Sequence, residues 1–269
     1  IDAFLAQRGL PKYTYIIYSN LGDLYLEQER YQDAAETYEA FVTQDPYHPK
    51  APVLQVQVIE AYQQGGFPSL VLDGKKSFAE RYGMDGPFWI RNPREENEAV
   101  AGHLKSNLTD LAQYYHAEAQ RLKKAAAYSQ AGDWYQLYLR TFAKSEQAPL
   151  MNFLYAELLT SAGWHDRAAA QYEQTAYNYE RHDKAAEAGY AALLAYAKHE
   201  ATLSGQARPT WHRAGIDSTL RFAQQFPDHE QALPARLRAA QQLYALNEFE
   251  TAGRNAQLVA EHTQANKEM

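Results

Sequence analysis

The 269-residue chain contains no cysteine. That excludes a disulfide framework, a thiol nucleophile and a thiolate metal site, and leaves an exported and a cytosolic setting both open. A long apolar run is missing too. The longest nearly apolar stretch, Gly189 to Ala197, is far short of the roughly 20 residues a membrane-spanning helix requires. No Lys/Arg-rich run occurs, and 26 basic against 33 acidic residues leave a formal net charge of −7, the wrong balance for a surface that tracks nucleic-acid phosphates. The chain opens at Ile1 with neither Met nor a basic-then-apolar leader, so it is expected to be a processed or excised piece of a longer protein.

What the chain does have is a period. Small residues that open the second helix of a helix pair fall at Ala34, Val71, Ala131, Ala168, Gly215 and Ala252, with gaps of 37, 60, 37, 47 and 37 residues. Self-similarity at this spacing marks a solenoid, whose units cannot bury their apolar faces alone and stack on their neighbours. The 21 tyrosines mostly recur at helical spacing inside the units, which makes them packing residues first.

The unit from Tyr15 to about His48 is the sharpest. With Gly22 at position 8 of a 34-residue helix-turn-helix, Tyr18 falls at position 4, Leu21 at 7, Tyr25 at 11, Tyr31 at 17, Ala34 at 20, Tyr38 at 24 and Pro46 at 32. Large residues spaced this way make one apolar helix face, and the small pair Gly22 and Ala34 lets two helices approach closely. Asp45-Pro46 stops the second helix. The frame returns with Ala156, Gly163-Trp164, Ala168 and Tyr172, and again with Ala240, Asn247-Glu248-Phe249, Ala252 and Val259. Units around Val71, Ala131 and Gly215 are degenerate. At the second, Gly65-Gly66-Phe67-Pro68 predicts a distorted hairpin with Pro68 in the first turn of the next helix. The long gaps exceed the period by 23 and 10 residues and place insertions at about 83–97 and 199–213, positions where function tends to sit on a rigid scaffold. The expected organisation is one solenoid over 1–269, with units at about 15–48, 52–83, 97–146, 149–182, 185–228 and 231–266.

These positions resemble the tetratricopeptide repeat over nearly the whole chain. The resemblance implies an all-α, right-handed superhelix of twelve to fourteen helices in stacked antiparallel pairs. The junctions Asp45-Pro46-Tyr47-His48-Pro49-Lys50-Ala51 and Phe226-Pro227-Asp228-His229-Glu230-Gln231-Ala232, with a weaker copy from Phe142 to Pro149, are similar to those of bacterial envelope proteins such as the outer-membrane assembly lipoprotein and the TolA-binding cell-division coordinator. That resemblance implies a non-catalytic periplasmic adaptor with a protein partner and no cofactor, the cytoplasm being the alternative location. Tetratricopeptide domains that clamp a chaperone's terminal carboxylate carry Lys and Asn where this chain has Ser19 and Asp23. An acidic group cannot replace a donor to a carboxylate, so that role is rejected.

In the repeat the first helix of each pair lines the concave side. Carrying its groove positions over gives Ile16, Ser19, Asp23, Leu26 and Glu27, then Val53, Val56, Glu60 and Gln63, and then Thr109, Gln113 and His116. Phe153, Glu157 and Thr160 follow, then Tyr190, Leu194 and Lys198, and Leu237, Gln241 and Tyr244. The expected groove is acidic at its N-terminal end and mixed and aromatic further on, suited to a basic or amphipathic peptide. Leu26, Phe153, Tyr190 and Tyr244 are expected to expose an apolar strip.

Catalytic chemistry finds little support. The nine His residues form no metal-ligand spacing. His116 and Glu118 lie two apart, on different helix faces. No G-x-S-x-G, phosphate-loop or dinucleotide pattern occurs, and Glu95-Glu96 follow Pro93 in a charged linker. No catalytic, cofactor or metal residue is assigned. Phe88, Trp89 and Trp211, in or beside the insertions, motivate an alternative: a ligand- or glycan-binding accessory domain of a larger cell-wall enzyme. The polar stretch from Glu250 to Met269 is expected to cap the array, and Ile1 to Leu10 to finish a preceding repeat, leaving the N-terminal face the stickier one.

Overall fold

The computed structural model describes residues 13–268, with side chains as far as His262. Among these residues there are thirteen α-helices, one 3₁₀ turn and no strand, so the fold is all-α. The chain divides into two compact units. One comprises residues up to Ala117 together with Gln136–Phe142, the other Glu118–Tyr135 and the residues from Ala143 onward.

In the first unit α1 (Thr14–Glu27), α2 (Tyr31–Gln44), α3 (Ala51–Gln64) and α4 (Pro68–Arg81) pack in succession, each on the next. Short α5 (Pro87–Arg91), the 3₁₀ turn Arg94–Glu96 and most of the 25-residue α6 (Glu98–Leu122) follow. The end of α7 (Ala125–Thr141) also belongs here. In the second unit α8 (Ala148–Ser161), α9 (His165–Tyr177), α10 (Ala185–Glu200), α11 (Ala207–Gln225), α12 (Ala232–Ala245) and α13 (Phe249–Glu268) pack in the same consecutive way. Tyr38, Tyr82, Phe78 and Leu54 are fully buried in the first unit, and Tyr135, Leu158, Phe222 and Leu243 in the second. Apolar residues three and four apart place these side chains on one face of each helix, so burying that face stabilises the pair.

Two connectors alternate. The tight turn inside a pair recurs four times with one geometry. A residue with left-handed backbone, Glu29, Gly66, Gly163 or Asn247, is followed by a residue whose N–H reaches back five positions. These bonds run from Arg30 to Tyr25, Phe67 to Tyr62, Trp164 to Leu159 and Glu248 to Leu243, each 2.9 Å. This is the helix-ending turn that satisfies the last carbonyls and returns the chain. The distortion expected at Gly65-Gly66-Phe67-Pro68 is absent, because Gly66 supplies the left-handed residue and Pro68 enters α4 at its first turn, where no N–H is needed.

The connector between pairs is built on a histidine. Nδ1 of His48 accepts the N–H of Lys50, and Nδ1 of His229 that of Gln231, both at 3.1 Å. Each ring lies edge-on to a phenylalanine of the helix before it: His48 to Phe41 at 5.2 Å and His229 to Phe222 at 5.1 Å. Each carbonyl accepts the N–H of a buried alanine three residues on, Ala51 or Ala232. Ser145 and Ala148 repeat the backbone part, and so do His182 and Ala185, a copy that the Pro-based reading of the junctions misses because His182 has no proline beside it.

The segment 83–97 is folded. Phe88 is fully buried, edge-on to Tyr82 and Trp89. The Asn92 side chain donates to the carbonyl of Tyr47, and the Arg91 guanidinium lies 4.7 Å from the Tyr47 ring centre. The insertion is thereby tied to the first histidine connector. Among the described residues no helix is long and apolar enough to cross a membrane.

Candidate functional site

In the first unit, α1 and α3 carry the N-terminal part of the expected groove. Ile16, Val53, Glu27, Glu60 and Gln63 are exposed, while Ser19, Asp23, Leu26 and Val56 are partly covered. Asp23 is already engaged, since the hydroxyl of buried Tyr38 donates to its Oδ1 at 2.7 Å. Burial first, and then the Asp23 and Glu60 carboxylates, hold the Tyr38 hydroxyl well above the ordinary tyrosine range. On α6 the expected groove residues divide: Gln113 is exposed and Thr109 half-buried, but His116 is buried. A pocket of about 430 Å³ lies nearby in the same unit, walled by Phe67, Pro68, Val71, Leu72 and Tyr114. The ion pair of Lys75 with Asp110 lies at its edge.

In the second unit the groove residues lie on α8, α10 and α12. Two expectations need correction. Phe153 is only 7% exposed, packed edge-on to Tyr172 with the Lys184 ammonium over its ring, so it is no part of an open apolar strip. Tyr190 is half-buried, leaning on Phe222 and His229. Both faced inward because the helices that follow supplied aromatic partners, which a single-helix frame does not reveal. Glu157 repeats the role of Asp23: the hydroxyl of buried Tyr172 donates to it, 15 residues on in both cases. The strip that remains open is Leu194, Leu237 and Tyr244, with Lys198 and Gln241 exposed beside it.

Between α10, α11 and α12 lies a cavity of about 100 Å³, lined among others by Tyr190, Leu194, Trp211, Glu200, Arg238 and Gln242. Trp211 is its anchor: the indole N–H donates to the carbonyl of Tyr196 at 2.9 Å, and the ring packs on Tyr196 and His199. Glu200 meets His212 at 2.9 Å and Arg208 at 3.4 Å. Burial pushes the Glu200 carboxyl up, but hydrogen bonds and charge from His212 and Arg208 outweigh it, and the net shift is downward. This acid and base, 12 residues apart, were invisible to a search for short motifs. Thr219, the cavity's one hydroxyl-bearing aliphatic side chain, donates to the carbonyl of Gly215 at 2.7 Å. Among the described residues no cluster of His, Asp and Glu is placed to hold a metal ion.

Of the three aromatics that motivate the glycan-binding alternative, only Trp89 and Trp211 are partly exposed. Phe88 is in the core, the Trp89 indole donates to the Tyr82 carbonyl, and Trp211 is committed to Tyr196. Glu95 and Glu96 are exposed in the 3₁₀ turn.

The helix pairs, with their close Gly22–Tyr38 approach and repeated turns, define an all-helical repeat protein. No family model and no curated protein matches the chain. Among solved structures it is similar to the MamA protein, at 15% identity and TM-score 0.34, over 82% of this chain and 97% of that one. A tetratricopeptide repeat protein from Parabacteroides merdae gives 16%, 0.29, 97% and 83% in the same order. PilW, a type IV pilus biogenesis factor, gives 13%, 0.29, 94% and 96%. These likenesses are too distant to carry a role to this chain.

Proposed function

We propose that the chain is a non-catalytic interaction scaffold whose first-helix faces dock a segment of a partner protein. The observation that carries this reading is the open strip of Leu194, Leu237 and Tyr244 on α10 and α12, beside a cavity lined by Tyr190 and Trp211. Apolar side chains grouped around a concave site mark binding surfaces. In the first unit the equivalent face sets Ile16 and Val53 beside exposed Glu27 and Glu60, which suits a basic, amphipathic partner segment. The junctions similar to those of envelope adaptors favour the periplasm of a Gram-negative bacterium as the place of action.

The test is affinity capture from a periplasmic extract, with wild type, Glu27→Lys/Glu60→Lys and Leu194→Asp as baits. Asp23 is left intact because it holds Tyr38. A partner retained by wild type and lost by either variant supports the scaffold. Equal capture by all three would move the site off these faces.

A further inference from the structure

A second cavity in the second unit lies where α9 ends, α10 begins and α11 runs out, and its volume is about 790 Å³. One wall is built on Tyr177. The ring of Phe226 stacks on it, with centroids 5.9 Å apart and planes inclined by 24°. The Arg221 guanidinium also lies on the ring, 3.8 Å from its centre. The hydroxyl of Tyr177 is buried without a hydrogen-bond partner, so this side chain serves as a platform and not as a donor.

Stacking uses the flat face of a guanidinium and leaves the N–H groups along its edge available. Arg221 makes no hydrogen bond and no ion pair among the described residues, and neither does Arg181, which lines the same cavity. Glu180 and Asp228 share the lining without pairing with either arginine. Holding a long arginine in place ordinarily costs rotamer entropy when a ligand binds. Here the contact with Tyr177 has already met that cost, which is what preorganisation means for affinity. A planar fork of donors, fixed and unpaired, matches an acceptor with two coplanar oxygens.

We infer that this cavity is an oxyanion site, in which Arg221 takes a phosphate or carboxylate group in bidentate contact and Arg181 supplies a second positive charge. Glu180 and Asp228 disfavour polyanions, so the ligand carries one such group and not a string of them. The site is separate from the first-helix faces, and the variants that test one leave the other intact.

The experiment is calorimetric titration of the full chain in low-chloride buffer, with inorganic phosphate in one arm and glutarate in the other. Saturable binding of either probe is expected, and the stronger of the two identifies the source of the oxyanion. Arg221→Lys keeps the charge but not the fork, and should weaken binding at least about tenfold. Tyr177→Phe should bind as wild type does with a melting temperature no lower than wild type, since it removes a buried hydroxyl without a partner, and Arg181→Gln should bind more weakly, the two arginine variants melting as wild type does. No binding of either probe, or an Arg221→Lys variant that binds as tightly as wild type, would overturn the assignment.

Discussion

The Tyr38 hydroxyl donates to the Asp23 carboxylate at 2.7 Å across the first helix pair, and Tyr172 does the same to Glu157 in the second unit. A hydrogen bond to a charged acceptor, with its donor buried, is worth about 1.5–3 kcal/mol. Asp23→Ala should therefore destabilise the chain by about 1–2 kcal/mol in urea unfolding, because it strands a buried hydroxyl. Asp23→Asn, which keeps an acceptor, should lose less. Tyr38→Phe combined with Asp23→Ala should cost less than the two single changes added together.

Gly22 sits under the Tyr38 ring. A methyl group there would come within 2.1 Å of Tyr38, whose ring is fully buried and whose hydroxyl is held. Gly22→Ala should cost about 1–3 kcal/mol by overpacking, read as a lower denaturation midpoint with unchanged slope.

The four matching turns make opposite predictions for one kind of substitution. Glu29 adopts φ 58° and Gly163 φ 77°, a region that disfavours any residue with a Cβ. Glu29→Gly should stabilise by several tenths of a kcal/mol to about 1, and Gly163→Ala should destabilise by a similar amount. Nothing lies within 4 Å of a methyl at Gly163, so the loss would report backbone strain alone. Thermal melting of the two variants checks both signs.

The histidine connectors should be sensitive to truncation. His48→Ala and His229→Ala each remove an acceptor for a backbone N–H and an edge-on ring contact. Each loss is expected at about 1–2 kcal/mol. Proteolysis near residues 45–51 or 226–232 should accelerate in the matching variant only.

Acid should weaken the second unit in two windows. Burial, followed by repulsion from Lys198 and His199, lowers His165 below its ordinary value near 6.5, against a small opposing effect of Asp166. A depressed folded value means the unfolded state takes up the proton first, so stability is complete above about 6.5 and falls as pH drops through the folded value. Glu200, net lowered from 4.5, adds a loss at more acid pH as its contacts with His212 and Arg208 fail. His165→Asn should flatten the first phase of a pH titration of melting temperature and leave the second in place.

Much of the fold was legible in the residues. Periodic small residues and tyrosines announced helix pairs, since close approach needs a Gly22 or an Ala156 wherever it occurs. Pro46 and Pro227 marked two junctions, although the role of the adjacent histidines was not legible, because an imidazole that accepts an N–H two residues on leaves no composition signal. The turn at Gly65-Gly66-Phe67-Pro68 looked irregular only because its left-handed residue is glycine where the first unit has glutamate. The exposure of the expected groove positions was only partly legible. Glu27, Glu60, Leu194 and Tyr244 are exposed, whereas Phe153 and His116 are buried, since a frame of one helix cannot show which neighbour covers a face.

Local pattern, then, determined the all-helical class, the pairing of helices and the absence of short catalytic motifs, because each depends on residues within about one helix turn or one tight turn of each other. Tertiary structure alone decided which carboxylates were taken by tyrosines, how Glu200 met His212, and that Arg221 would lie on Tyr177 with its donors unpaired among the described residues. Those relationships join residues 12 to 44 positions apart across packed helices, and their geometry exists only once the helices have docked.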